Sequence, residues 1–133
     1  MSTDEGNQRA ILLVEEDEEM RPILRRNLES EGYRVLLALD ERDANERVSG
    51  GRINADLILV NLVGVQPDEA LHAGRRIRQN AELDVPLVVM AEKYGDELEG
   101  KNMKVGENDW IIYLEAHQQL RDLLVELMSK NDL

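Results

Sequence analysis

The chain has no cysteine and no phenylalanine, and only 3% of its residues are aromatic. Without cysteine there can be no disulfide, thiolate metal site or cysteine nucleophile. Without phenylalanine the core must be built from Leu, Ile and Val. A 42% hydrophobic fraction over 133 residues is enough for one such core. Cations are also scarce: 16 Lys and Arg stand against 28 Asp and Glu, for a net charge of −12. That balance argues against direct binding to nucleic acid or to an anionic membrane, which both need a basic face. No apolar run approaches the roughly 20 residues that span a bilayer. Met1 to Glu5 has no apolar stretch behind it and does not read as a signal peptide. The expectation is a cytoplasmic protein with a disordered polar tail over 1–9 and a single domain over 10–130.

What is present is an alternation of short apolar runs with amphipathic stretches. Ala10 to Val14, Tyr33 to Ala38, Leu57 to Val60, Leu87 to Met90 and Trp110 to Tyr113 read as strands. Between them the pattern predicts helices. The first, ending near Glu31, has Met20, Ile23, Leu24 and Leu28 on one face, and Gly32 stops it. The second runs from an Asp40 cap to about Val48, with Ala44 and Val48 inward. The third begins near Pro67 and turns Ala70, Ala73 and Ile77 inward. A weak fourth helix is expected near 96–104, where Gly100 and Asn102 oppose it. The last runs from about Glu115 to Ser129, burying Leu120, Leu124, Leu127 and Met128. Alternating strands and helices imply a parallel sheet covered on both faces. Sites in such sheets lie beyond the C-terminal strand ends, which directs attention to Glu15, Glu16, Asn61, Ala91 and Tyr113.

Four segments in order resemble the receiver domain of two-component response regulators. They are Ile11 to Asp17, Asp56 to Asn61, Val85 to Ala91 and Gly106 to Trp110, within a likeness that spans 10–129. The resemblance implies a flavodoxin-like three-layer α/β sandwich: a five-stranded parallel sheet in the order 2-1-3-4-5, flanked by five helices. It also implies a phosphorylation site, whose positions fall as follows. The acidic pair that holds Mg²⁺ in the family falls on Glu15 and Glu16. The phosphoryl acceptor falls on Asn61, the hydroxyl on Ala91 and the lysine on Tyr113. The switch aromatic falls on Trp110. Charge survives at the acidic pair, whereas acceptor, hydroxyl and lysine are all replaced.

The resemblance therefore implies a degenerate pseudo-receiver that is not an enzyme and needs no cofactor, with weak Mg²⁺ binding at Glu15, Glu16 and Asn61 as the alternative. Acting by protein–protein contact, it would meet a histidine kinase or another regulator, or form a homodimer through the 98–128 face. The second functional reading is a small-molecule sensor with its ligand beside Ala91, Tyr113 and Trp110. Plainer roles stand next to these. The acids of 15–19 suit a helix's first turn. Asn61 suits a strand-end cap on backbone N–H groups. His72 and His117 read as solvent-facing, and Arg75, Arg76 and Arg78 as a solvated helix face.

Overall fold

Short apolar segments set the sheet. In the computed structural model, which describes residues 8–92 and 94–129, the strands are β1 (Ala10–Glu15), β2 (Arg34–Ala38), β3 (Leu57–Asn61), β4 (Leu87–Met90), β5 (Asn102–Lys104) and β6 (Asp109–Ile112). The helices are α1 (Met20–Ser30), α2 (Glu41–Val48), α3 (Pro67–Ala81) and α4 (His117–Ser129). The sheet order is β2-β1-β3-β4-β6-β5, parallel except for the last pair. The flavodoxin-like sandwich is thus present with six strands and four helices rather than five of each. Of the tail expected over 1–9, residues 1–7 lie outside the described residues, as does Lys130 at the other end.

Both faces of the central strands are buried, as their continuous apolar runs require. On one face Leu12, Val14, Ile58, Val60 and Val89 pack against α2 and α3 through Ala44, Val48, Ala70, Ala73 and Ile77. On the other, Ile11, Leu13, Leu57, Leu59 and Val88 meet Leu24 and Leu28 of α1 and Leu120, Leu123, Leu124, Leu127 and Met128 of α4. α3 lies so close to the sheet that a Cβ on Gly74 would stand 2.6 Å from a Leu87 methyl. Met20 and Ile23, expected on the inner face of α1, are 38% and 48% exposed. Leu24 and Leu28, one turn apart, already fill the space under that helix.

The weak fourth helix does not form. A single 3-10 turn spans Asp96–Leu98, Gly100 takes a positive φ of 82°, and the chain then pairs with β6 as an antiparallel edge strand. Its backbone groups bond sideways instead of along a helix. Gly100 N–H donates to the Tyr113 carbonyl at 2.8 Å, Tyr113 N–H to the Lys101 carbonyl at 2.9 Å, and Val105 N–H to the Asp109 carbonyl at 2.9 Å. All three side chains of β5 are exposed.

Asp109 opens β6 and is only 4% exposed. Arg75 Nε and Nη2 hold one of its oxygens at 2.8 and 2.7 Å. Arg78 Nη1 lies 2.7 Å from the other in an ion contact out of line for a hydrogen bond. Arg78 also donates to the Val85 carbonyl at 3.1 Å. Arg76 makes a two-pronged bond to Glu41 at 2.6 and 2.9 Å. All three arginines are ion-paired; Arg76 is exposed as expected, whereas Arg75 and Arg78 are partly buried against Asp109 rather than solvated. His117 likewise has a partner, Glu31 Oε2 at 2.8 Å, which ties α4 to the end of α1. His72 is exposed as expected.

Two outcomes follow from this architecture. Because β5 is a short edge strand joined to one neighbour, its amides should exchange with solvent far faster than those of β4, read by hydrogen exchange. Asp109→Ala strands two guanidiniums and should cost about 3 kcal/mol, the low end for a broken buried pair because Arg75 is partly exposed. Burial alone would raise the Asp109 pKa, but Arg78 and Arg75 outweigh it and hold the carboxyl below the usual range. This contribution is therefore fully present above the ordinary aspartate pKa, about 3.9. It is lost as pH falls from there through the depressed folded value. An acid-unfolding midpoint that does not move in Asp109→Asn would contradict this assignment.

Candidate functional site

β1 and β3 are paired in register so that Glu15 stands directly opposite Asn61. Both strands end there, at the edge where the family's chemistry is sited. Glu15 is fully buried, 0% exposed. An ionised carboxylate at that depth requires donors, and the chain supplies them. Asn61 Nδ2 donates to both Glu15 oxygens at 2.9 Å, and Asp17 N–H donates to Oε2 at 3.1 Å. Burial pushes the Glu15 carboxyl above its ordinary value, with the Asn61 and Asp17 bonds pulling the other way. Asn61 is thus not the backbone cap expected of it: its amide is spent on a carboxylate.

The turn after β1 is braced from its backbone. Arg21 Nε donates to the Glu15 carbonyl at 2.7 Å and Nη2 to the Glu16 carbonyl at 3.2 Å. Glu16 Oε1 accepts Val63 N–H at 2.7 Å, and Glu16 N–H donates to the Asn61 carbonyl at 3.1 Å. Asp17 Oδ1 accepts Glu19 N–H at 2.9 Å, so this acid precedes α1 and closes the turn leading into it. No acidic residue occupies the first turn of α1 itself. An open cavity of about 680 Å³ lies over this turn, lined by Glu16, Asp17, Arg21, Leu39, Asp40 and Val63 among others.

The remaining predicted site residues lie elsewhere. Ala91 is buried in the layer that carries α2 and α3, and Tyr113 packs against the same layer. The Tyr113 ring meets Tyr94 edge-on, with centroids 5.3 Å apart and planes at 82°. The Tyr94 hydroxyl donates to the Leu114 carbonyl. Trp110 packs on the opposite side of the sheet with Met90 and Leu114, with Lys104 Nζ 5.8 Å from its ring centre. Of the expected ligand pocket, Ala91 and Tyr113 share one layer and Trp110 lies in the other. Residues three apart along a strand face opposite sides, so the Trp110 side chain leaves the sheet on the face away from Tyr113. Sequence reasoning missed Tyr94 and Arg21. The first lies in a polar loop, and the second reads as an ordinary helix arginine.

The resemblance implies a divalent cation at Glu15, Glu16 and Asn61, and the donor set does not fit one. Magnesium needs oxygen lone pairs converging on a common point. Here both Glu15 oxygens face amide hydrogens, a Glu16 oxygen faces a backbone N–H, and Asn61 offers its nitrogen. Among the described residues, no three Asp, Glu, His or Cys side chains converge to hold a metal.

No family model matches the sequence. The chain is 28% identical to Response regulator MprA of Mycolicibacterium vanbaalenii over 119 residues, covering 90% of this chain and 48% of that protein. It is 28% identical over 111 residues to the transcriptional regulatory protein ResD of Bacillus subtilis, covering 82% of this chain and 43% of that one. The chain thus spans about half the length of the curated relatives it matches. Among solved structures it is similar to the receiver domain of sensor histidine kinase PA1611 from Pseudomonas aeruginosa, described with a magnesium ion in its active-site cleft. The TM-score is 0.63 and the identity 26%, over 92% of this chain and 98% of that one. No described helix is long and apolar enough to cross a membrane. The chain has the fold of receiver domains, and its sequence is similar to that of response regulators.

Proposed function

We propose that this domain is a pseudo-receiver: a non-enzymatic module of two-component signalling that works through protein–protein contact without being phosphorylated. The observation that carries the reading is Asn61, an amide at the acceptor position whose nitrogen is committed to a buried carboxylate. An amide is too weak a nucleophile to form an acyl phosphate. Ala91 offers no hydroxyl to a phosphoryl oxygen, and Tyr113 offers no cation. The Tyr113 ring is packed edge-on against Tyr94, in the layer that also holds Ala91. A buried Glu15 has no free oxygen with which to replace the acceptor.

Specificity then rests on surface shape. The altered edge at β5 and β6, next to α4, is where this chain differs most from the pattern its resemblance implies. It presents exposed Met103 and Val105, and Val125 at 51% exposure. A histidine kinase or another regulator is the partner class in keeping with the fold, and a second copy of this chain is the other.

Incubation with acetyl phosphate and Mg²⁺ should give no adduct of about 80 Da, the mass a phosphoryl group adds. Asn61→Asp should also remain unmodified or be modified only slowly, because the hydroxyl and lysine positions stay Ala91 and Tyr113. A hydroxylamine-labile adduct on the native chain, seen by intact mass measurement, would sink the proposal.

A further inference from the structure

We infer that the Asn61 side-chain amide is a built-in substitute for a divalent cation, holding the acidic turn in place so that the fold neither needs nor gains from metal. The argument is geometric and does not depend on any partner. Glu15 and Asn61 are cross-strand neighbours in the β1–β3 ladder, so their side chains leave the sheet together. Glu15 is fully buried and needs positive charge or hydrogen-bond donors nearby. The described cation next to this turn, Arg21, gives its guanidinium to the backbone carbonyls of Glu15 and Glu16 rather than to the carboxylates. The donor left for both carboxylate oxygens is Asn61 Nδ2, at 2.9 Å from each. Only the nitrogen end of the amide can face that carboxylate, since the oxygen end would be repelled by it.

The substitution that reverses the arrangement is Asn61→Asp. It replaces the donor by a second carboxylate at hydrogen-bond distance from the first. Two carboxylates cannot both stay ionised there unless a cation bridges them. The variant would then offer converging oxygens from residues 15, 16 and 61 to a hard cation.

The test is thermal unfolding of the full chain in EDTA and in millimolar MgCl₂. Native protein should unfold at the same temperature in both. Asn61→Asp should unfold at a lower temperature in EDTA and recover most of the loss in MgCl₂. Asn61→Ala, which removes the donor without adding charge, should also be weakened but should not be rescued by MgCl₂. Amide NMR signals of residues 15–17 and 61–63 in the native chain provide a second readout that needs no variant to fold, and MgCl₂ should leave them in place. The inference is overturned if MgCl₂ stabilises the native chain or shifts those signals. It is equally overturned if Asn61→Asp is as stable as native protein in EDTA. None of these readouts involves phosphorylation or a partner, so failure here is distinct from failure of the pseudo-receiver reading.

Discussion

A carboxylate taken wholly out of water must be given donors, and the way Glu15 obtains them organises this end of the molecule. β1 delivers Glu15 into the protein rather than above it. In-register pairing with β3 brings Asn61 alongside, and the two side chains satisfy each other. The turn that follows is then held by backbone contacts: Arg21 on two carbonyls, Val63 N–H on Glu16, and Glu16 N–H on the Asn61 carbonyl. Both Glu15 oxygens, one Glu16 oxygen and the Asn61 side-chain nitrogen are engaged within the protein. The burial of Glu15 and the order of the turn are two views of the same hydrogen bonds.

The far edge of the sheet obeys a different constraint. A helix at 96–104 would have had to carry Gly100 in its middle and bury apolar residues that the segment lacks. Pairing with β6 satisfies the backbone at once, through the bonds at Gly100, Lys101, Tyr113 and Val105. The outcome is an exposed edge strand, which is ordinarily an invitation to aggregate. Three features blunt it. The strand has only three residues, Lys101 and Lys104 flank and occupy it, and Lys104 lies over the Trp110 ring. Partner contact at this edge would meet a sheet margin where the resemblance leads one to expect a helix.

Much of this was legible in the sequence. The continuous apolar runs gave strands at nearly the right residues because a strand buried on both faces has no polar position to break it. α3 and α4 followed from strong periodicity. What failed has physical causes. Asp96, Glu97, Leu98 and Glu99 favour a helix locally, and only the long-range pairing with β6 decides otherwise. Arg75, Arg78 and Asp109 are separated by some thirty residues, and nothing in their spacing says that they meet. An isolated Asp before a strand reads as loop, yet here it is buried because two cations come to it. Met20 and Ile23 show a related limit: periodicity names a face, but it cannot say how wide a stripe the core will accept.

The acidic site was legible in part for an instructive reason. Alignment with the family's motif placed Glu15 and Asn61 in one neighbourhood, and the register bears this out. The motif could not say that the amide would turn its nitrogen to the carboxylate, because that depends on Glu15 being buried. A solvated glutamate would have left Asn61 free to cap backbone, as residue type alone suggests. Burial converts a neutral substitution into an electrostatic partnership. The same logic applies to the other two positions. Ala91 and Tyr113 share a layer with Tyr94, whose ring packs edge-on against Tyr113, whereas Asn61 is held by hydrogen bonding to the Glu15 carboxylate of β1. Each position is held by the interaction its own surroundings allow, apolar in one place and polar in the other. The fold therefore accommodates Asn61 and Tyr113 through separate local contacts, and no single interaction has to serve both.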